Sequence, residues 1–147
     1  GRRMSRLIRD ETGAQRLLGY TLDVGEGDGR ARCRLVVDDR HLNRSGVLHG
    51  GIAAMLLDNA CGATASLTVD DTGRVPFLTL SLNTDFVAAG RPGGVTATGR
   101  IVRQGARIVF AAAELVADDG TLLATASGVF TRAKAPAPRP ERTEEIR

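Results

Sequence analysis

The stretch His49-Gly50-Gly51-Ile52-Ala53-Ala54-Met55-Leu56-Leu57-Asp58-Asn59-Ala60-Cys61-Gly62-Ala63 is apolar around most of a helical circumference. Its length and its Ala and Leu content predict a helix rather than a strand. A helix apolar on nearly every side must be enclosed, and the expected enclosure is a sheet wrapped around it. The wider run over 45–69 does not read as a membrane span. Asp58 sits at its middle, and Gly46, Gly50, Gly51, Asn59 and Gly62 interrupt it.

Working upstream, Ala31, Cys33, Leu35 and Val37 alternate with Arg30, Arg32 and Arg34, the period of a half-buried strand that stops near Asp38 and Asp39. Residues 19–26 read as a first strand, closed by the turn signals Gly25, Gly27 and Gly29. Downstream, Asp70, Asp71, Gly73 and Pro76 mark the connection leaving the helix. Strands are then predicted over 77–87, 95–103, 107–116 and 121–131, with Gln104-Gly105 and Asp118-Asp119-Gly120 as hairpin reversals. The reading is an α+β domain over 17–132, preceded by an N-terminal extension at 1–16 and followed by a mobile, Pro- and charge-rich tail at 133–147. One helix cannot cover both faces of such a sheet, so dimerisation through the strands is expected to protect the edges.

Composition bounds the function. The 147 residues suffice for one core, and 42% apolar with 25% charged residues is ordinary for a globular chain. Only 3% are aromatic, so that core must be built from Leu, Ile, Val and Ala, and small cores of this kind often need an oligomer. The net charge of +3 resides at the ends: 1–16 carries +3 and 132–147 carries +2, leaving 17–131 at −2. That distribution gives no support to a nucleic-acid-binding face. Cys33 and Cys61 lack metal-ligand spacing, and residues 1–16 contain no uninterrupted apolar run of the sort a signal peptide requires, so a reduced, cytoplasmic setting is expected without a membrane partner.

Between Arg44 and Asp70 the only formally charged side chain is Asp58. A carboxylate among Leu56, Leu57, Ala60 and Cys61 resists desolvation, which suits either a general base or nucleophile, or an aspartate with purely structural hydrogen bonds. Gly50 and Gly51 lie at the predicted helix start, where amides lack intrahelical acceptors and a substrate carbonyl could bind, although a Gly-Gly pair by itself is read first as a tight loop that allows entry into the helix. His49 fits an acid–base group or a loop hydrogen-bond donor. Metal chemistry has little support, because His41 and His49 are not spaced as ligands and no cysteine cluster accompanies them.

The spacing His41-x-Asn43-x-x-Gly46-x-x-His49-Gly50-Gly51, followed by Leu56-x-Asp58-x-x-x-Gly62, resembles the active-site signature of the hotdog-fold acyl-CoA thioesterases of the phenylacetate-pathway (PaaI-like) type. The resemblance implies a five- or six-stranded antiparallel sheet wrapped around the long helix, in a homodimer with shared active sites that assembles into a homotetramer. It implies hydrolysis of an acyl-CoA to CoA and a carboxylic acid without a metal or redox cofactor. Asp58 would activate water or attack the thioester. The Gly50 amide would polarise its carbonyl, Asn43 would orient water or substrate, and His49 would fix the loop near the leaving sulfur. Thr79 would assist the carboxylate, although a small shift in register would present Ser81 instead. Gly51 joins the substrate-binding set, with Arg91, Arg103 and Arg107 as candidates for CoA phosphate contacts. Alternatives are a thioesterase acting on acyl carrier protein, or a noncatalytic acyl-CoA-binding or scaffold protein. A hotdog hydratase fits less well, because Ala63 stands where its histidine would follow Asp58.

Overall fold

A computed structural model describes residues 6–134. The chain runs β1 (Leu7–Ile8), α1 (Gly13–Leu18), β2 (Thr21–Asp23), β3 (Arg32–Val37), a 3-10 turn (Asp39–His41), α2 (Gly50–Ser66), β4 (Phe77–Phe86), β5 (Gly93–Gln104), β6 (Ile108–Ala117) and β7 (Leu122–Arg132). All seven strands join one antiparallel sheet in the order β1-β2-β3-β5-β6-β7-β4. After α2 the chain returns to the far edge, so β4 pairs only with β7 and leaves its other side free of partners among the described residues. This is the hotdog fold, a sheet wrapped around one long helix.

Alternation along the strands decides what meets α2. Cys33, Leu35 and Val37 of β3, Val95 and Ala97 of β5, and Ala111, Ala113 and Leu115 of β6 are buried on the inner face against Leu56, Leu57, Ala60 and Cys61. Among the described residues, Phe130 and Tyr20 are the aromatic side chains buried in this core, Phe77 packs at its margin, and the rest is mostly aliphatic, which is how a chain so poor in aromatic residues fills it. Small residues bring sheet and helix close. A Cβ on Gly99 would fall inside contact distance of the Thr64 hydroxyl and the Ala60 carbonyl, so β5 lays bare backbone against the helix there.

The sheet encloses α2 only in part. Ala54, Met55, Asp58 and Gly62 are half-buried, and their spacing of three and four places them along one stripe of the helix, with Asp58 at its middle.

The four downstream strands follow their predicted spans closely, and the Asp118-Asp119-Gly120 turn closes with the Ala117 amide donating to the Thr121 carbonyl at 2.9 Å. The first strand does not. Of the expected 19–26, only Thr21–Asp23 is strand, because Gly19, at φ 82, is the left-handed cap of α1. The stretch 1–16, expected as an extension, carries β1 and most of α1, with Ile8 and Gln15 buried. The Gln15 side-chain NH₂ donates to the Ile8 and Tyr20 carbonyls at 2.8 and 3.2 Å and ties this short helix down. With β1 and β2 the sheet has seven strands rather than five or six. The expected tail falls almost wholly outside the described residues. Among those residues no helix is long and apolar enough to cross a membrane.

Candidate functional site

The loop before α2 is built by its own polar groups. His41 is fully buried: Nδ1 accepts from the Asp38 amide at 3.0 Å, which leaves the proton on Nε2 for the Leu18 carbonyl at 2.8 Å. The backbone of His41 also accepts from the His49 amide at 2.8 Å. His41 is thus the anchor that holds both ends of the 41–49 loop. Inside the loop Asn43 Oδ1 accepts from the Ser45 and Val47 amides at 2.9 and 3.3 Å, and its backbone N–H donates to the Val47 carbonyl at 2.8 Å. Those bonds fix the carboxamide and turn its NH₂ away from the loop amides.

His49 caps α2. Its Nδ1 accepts from the Gly51 amide at 2.9 Å, so the Gly51 donor is already engaged, and a Cβ on Gly51 would crowd the imidazole at 3.0 Å. The Gly50 amide, at the first helical position, has no acceptor among the described residues. It is the free donor at the positive end of the helix. Phe86, at the end of β4, packs beside Gly50: the ring is 3.4 Å from where a Gly50 Cβ would stand. Sequence reasoning missed Phe86, whose only mark is being an aromatic in a chain with few.

Asp58 sits two turns further along α2, half-buried, and its Oδ1 accepts from the Thr79 hydroxyl at 2.6 Å. The register is therefore resolved toward Thr79: it lies opposite Phe130, whereas Ser81 lies opposite Val129, with a bulge between them. Cys61, one turn on, is no nucleophile. Burial first, and then the Asp58 charge, push its thiol up to about 12. Burial likewise drives the Cys33 thiol far above its ordinary value.

Eight residues of helix separate Gly50 from Asp58, an axial distance of about 12 Å. Within one chain the free amide and the carboxylate do not converge on one reacting atom. Gly50, Asn43, Val47, Phe86 and Leu123 line a cavity of about 360 Å³ that Asp58 does not reach. The arginines are divided too. Arg91 precedes β5, and Arg103 and Arg107 flank its other end, about 30 Å away along the strand. No group of His, Cys, Asp or Glu among the described residues has the arrangement of a metal site.

The Thioesterase superfamily profile matches residues 45–124, the segment that spans the Asn43 loop's end, α2 and β4 through the start of β7. Human acyl-coenzyme A thioesterase 13 is 28% identical over 102 residues, covering 69% of this chain and 71% of that protein. The candidate esterase SSO2140 of Saccharolobus solfataricus is 33% identical over 100 residues, covering 68% and 69%. Among solved structures, the BH2602 protein of Bacillus halodurans with CoA superposes with a TM-score of 0.77 at 27% identity, covering 88% of this chain and 83% of that one. The chain belongs to the thioesterase superfamily, in its hotdog-fold branch.

Proposed function

We propose that the protein hydrolyses an acyl-CoA thioester, and that each active site combines Asp58 of one subunit with Gly50 and Asn43 of another. The observation that carries this reading is the pairing of a carboxylate held by a hydroxyl with a free helix-start amide on the same helix, too far apart to act together within one chain. The relatives add the substrate class, since a thioesterase acting on acyl-coenzyme A and a homologue in complex with CoA are both similar over most of this chain.

The chemistry follows from the groups. The Gly50 N–H, assisted by the helix dipole, would stabilise negative charge developing on the thioester oxygen. Asp58, oriented by Thr79, would take a proton from water as it attacks, or attack the carbonyl carbon itself; either route releases CoA thiol and a carboxylic acid. The Asn43 NH₂ would orient water or substrate, and His49, whose Nδ1 holds the helix start, would leave its Nε2–H toward the departing sulfur. Arg91, Arg103 and Arg107 remain candidates for the CoA phosphates, drawn from different subunits because one chain keeps them apart.

Two surfaces support a dimer. The half-buried stripe of α2 centres on Asp58, and β4 is a ten-residue edge strand with Leu78 and Leu80 each 59% exposed. Such an edge invites strand pairing with a second copy. Further assembly to a tetramer belongs to the same proposal.

A panel of acyl-CoA and matched carrier-linked thioesters, followed by release of free thiol, tests the reading. Wild-type turnover of an acyl-CoA with a loss of 10²-fold or more in Asp58→Asn supports it. Preference for the carrier-linked substrate moves it to the acyl-carrier class. Binding without turnover of any substrate, or equal turnover by Asp58→Asn, overturns it.

A further inference from the structure

The cavity beside Gly50 lies wholly within one chain, between the loop before α2, the end of β4 and the start of β7. At about 360 Å³ it falls in the size range of small-molecule pockets. Val47, Leu48, Ala53, Phe86, Val87 and Leu123 supply its apolar walls, and no ionised side chain lines it. Its position matters as much as its chemistry. Gly50, whose free amide is the proposed oxyanion donor, forms part of the wall, so a group attached to the carbonyl carbon can enter directly.

Phe86 stands in that wall beside Gly50. Its ring packs within 3.4 Å of where a Gly50 Cβ would stand, while the residue remains 61% exposed. The wall behind it is fixed: the Leu48 amide donates to the Gly90 carbonyl at 2.7 Å, and the Val87 and Ala88 amides both donate to the Leu123 carbonyl at 2.8 and 3.1 Å. Of the lining groups, the aromatic ring is the one whose size changes the mouth without disturbing these bonds.

We propose that this cavity receives the acyl group, that its substrates are apolar acyl groups without a charged terminus, and that Phe86 sets the acyl length. The inference rests on the hydrolytic reading above. A terminal carboxylate would find no counter-ion among these lining residues and would lose part of its water beside their apolar groups, a cost that disfavours it. Truncating the ring lengthens the space available beside the carbonyl, and enlarging it shortens that space.

The test measures kcat/KM for straight-chain acyl-CoAs from acetyl to palmitoyl, and for succinyl- against butyryl-CoA, with wild type, Phe86→Ala and Phe86→Trp. Thermal midpoint and oligomeric state are recorded for each protein. Phe86→Ala is expected to shift the long-to-short ratio upward by about tenfold or more, and Phe86→Trp to shift it downward. Succinyl-CoA is expected to be at least about tenfold poorer than butyryl-CoA. Superimposable profiles, a preference for succinyl-CoA, or a changed oligomeric state with unchanged ratios would each overturn the inference while leaving hydrolysis standing. Absence of wild-type turnover on every thioester would overturn the hydrolytic reading, and the inference with it.

Discussion

Thr79 donates its hydroxyl to Asp58 Oδ1 at 2.6 Å, joining the edge strand β4 to the middle of α2. The short contact to a carboxylate is of the charge-assisted kind, stronger than a bond between neutral groups. It restricts the rotation of Asp58 and leaves Oδ2 as the oxygen free to meet water or substrate. In the proposed reaction Thr79 would act as a positioning residue. Thr79→Ala is expected to lower kcat about tenfold, the value of a hydrogen bond to a charged group, with a smaller change in KM. Thr79→Ser keeps the hydroxyl and should retain most of the rate. Steady-state kinetics of the three proteins on one thioester decides it, and equal losses in both variants would remove the positioning role.

The Gly50 amide can be deleted with little harm to the helix. Position one of a helix tolerates proline, and His49 already has the extended ψ of 129° that a following proline requires. Gly50→Pro should cost about 10²- to 10³-fold in kcat with little change in thermal midpoint, whereas Gly50→Ala, which keeps the N–H, should cost far less. Co-expression of Gly50→Pro with Asp58→Asn offers a sharper readout. If sites are shared, each mixed dimer regains one intact site, and roughly a quarter of wild-type activity returns by random pairing. Recovery no greater than the sum of the separate variants would place both groups in one subunit's site.

Asp58 stood out in the sequence because it is alone in a long uncharged run, and β4 to β7 because their alternation is bounded by strong turn residues. Local pattern could reach those features. It could not reach the contact between Phe86 and Gly50, which depends on how β4 returns past the start of α2. The N-terminal segment was misread for a different reason. Thr12, whose side chain accepts from the Gln15 amide, and Gly19 form the start and stop of a short helix, a signal outweighed by the apolar residues just after it.

Gly99 defines the depth at which α2 lies in the sheet. Because a methyl group there meets the Ala60 backbone as well as the Thr64 side chain, local rotamer changes cannot relieve it. Gly99→Ala is expected to lower unfolding stability by about 1–3 kcal/mol. Urea denaturation measures the loss, and an unchanged midpoint would show that α2 can lift from the sheet freely.

Acid sensitivity should include a contribution from Asp28. Arg32 first, against a modest opposing effect of burial, and then the Arg30 amide hold its carboxyl at about 2, with both Arg32 contacts at 2.8 Å. A carboxylate lowered on folding adds stability that is present above its ordinary value and is lost as pH falls from about 4 to about 2. The pair is open to solvent, so screening limits its value to about 1 kcal/mol or less. Asp28→Asn should therefore be slightly less stable at neutral pH and show a flatter acid limb. Denaturation midpoints across that window test the sign; an unchanged slope would contradict it.

The same two contacts that define the half-sites also predict how two β4 strands pair. Thr79 accompanies Asp58 and Phe86 accompanies Gly50, so the proposed shared site would place Thr79 of one subunit beside Phe86 of the other. Seven positions apart, these residues would ordinarily fall on opposite faces of a strand. The bulge between Thr79 and Ser81 restores them to one face, opposite Phe130 and Ala124 of β7. Antiparallel pairing of the two edges then sets Ser81 opposite the partner's Asp85 and Asn83 on the two-fold axis. Cysteines at directly opposed positions lie within disulfide range, about 4.5–5.5 Å between Cα atoms. Asn83→Cys should therefore oxidise to a covalent dimer. Ser81→Cys and Asp85→Cys should do so only when mixed, since like positions would lie about 13 Å apart along the strands. Buried Cys33 and Cys61 will not compete. Non-reducing electrophoresis reads the outcome, and self-linking at Ser81→Cys or Asp85→Cys in preference to Asn83→Cys would refute this register.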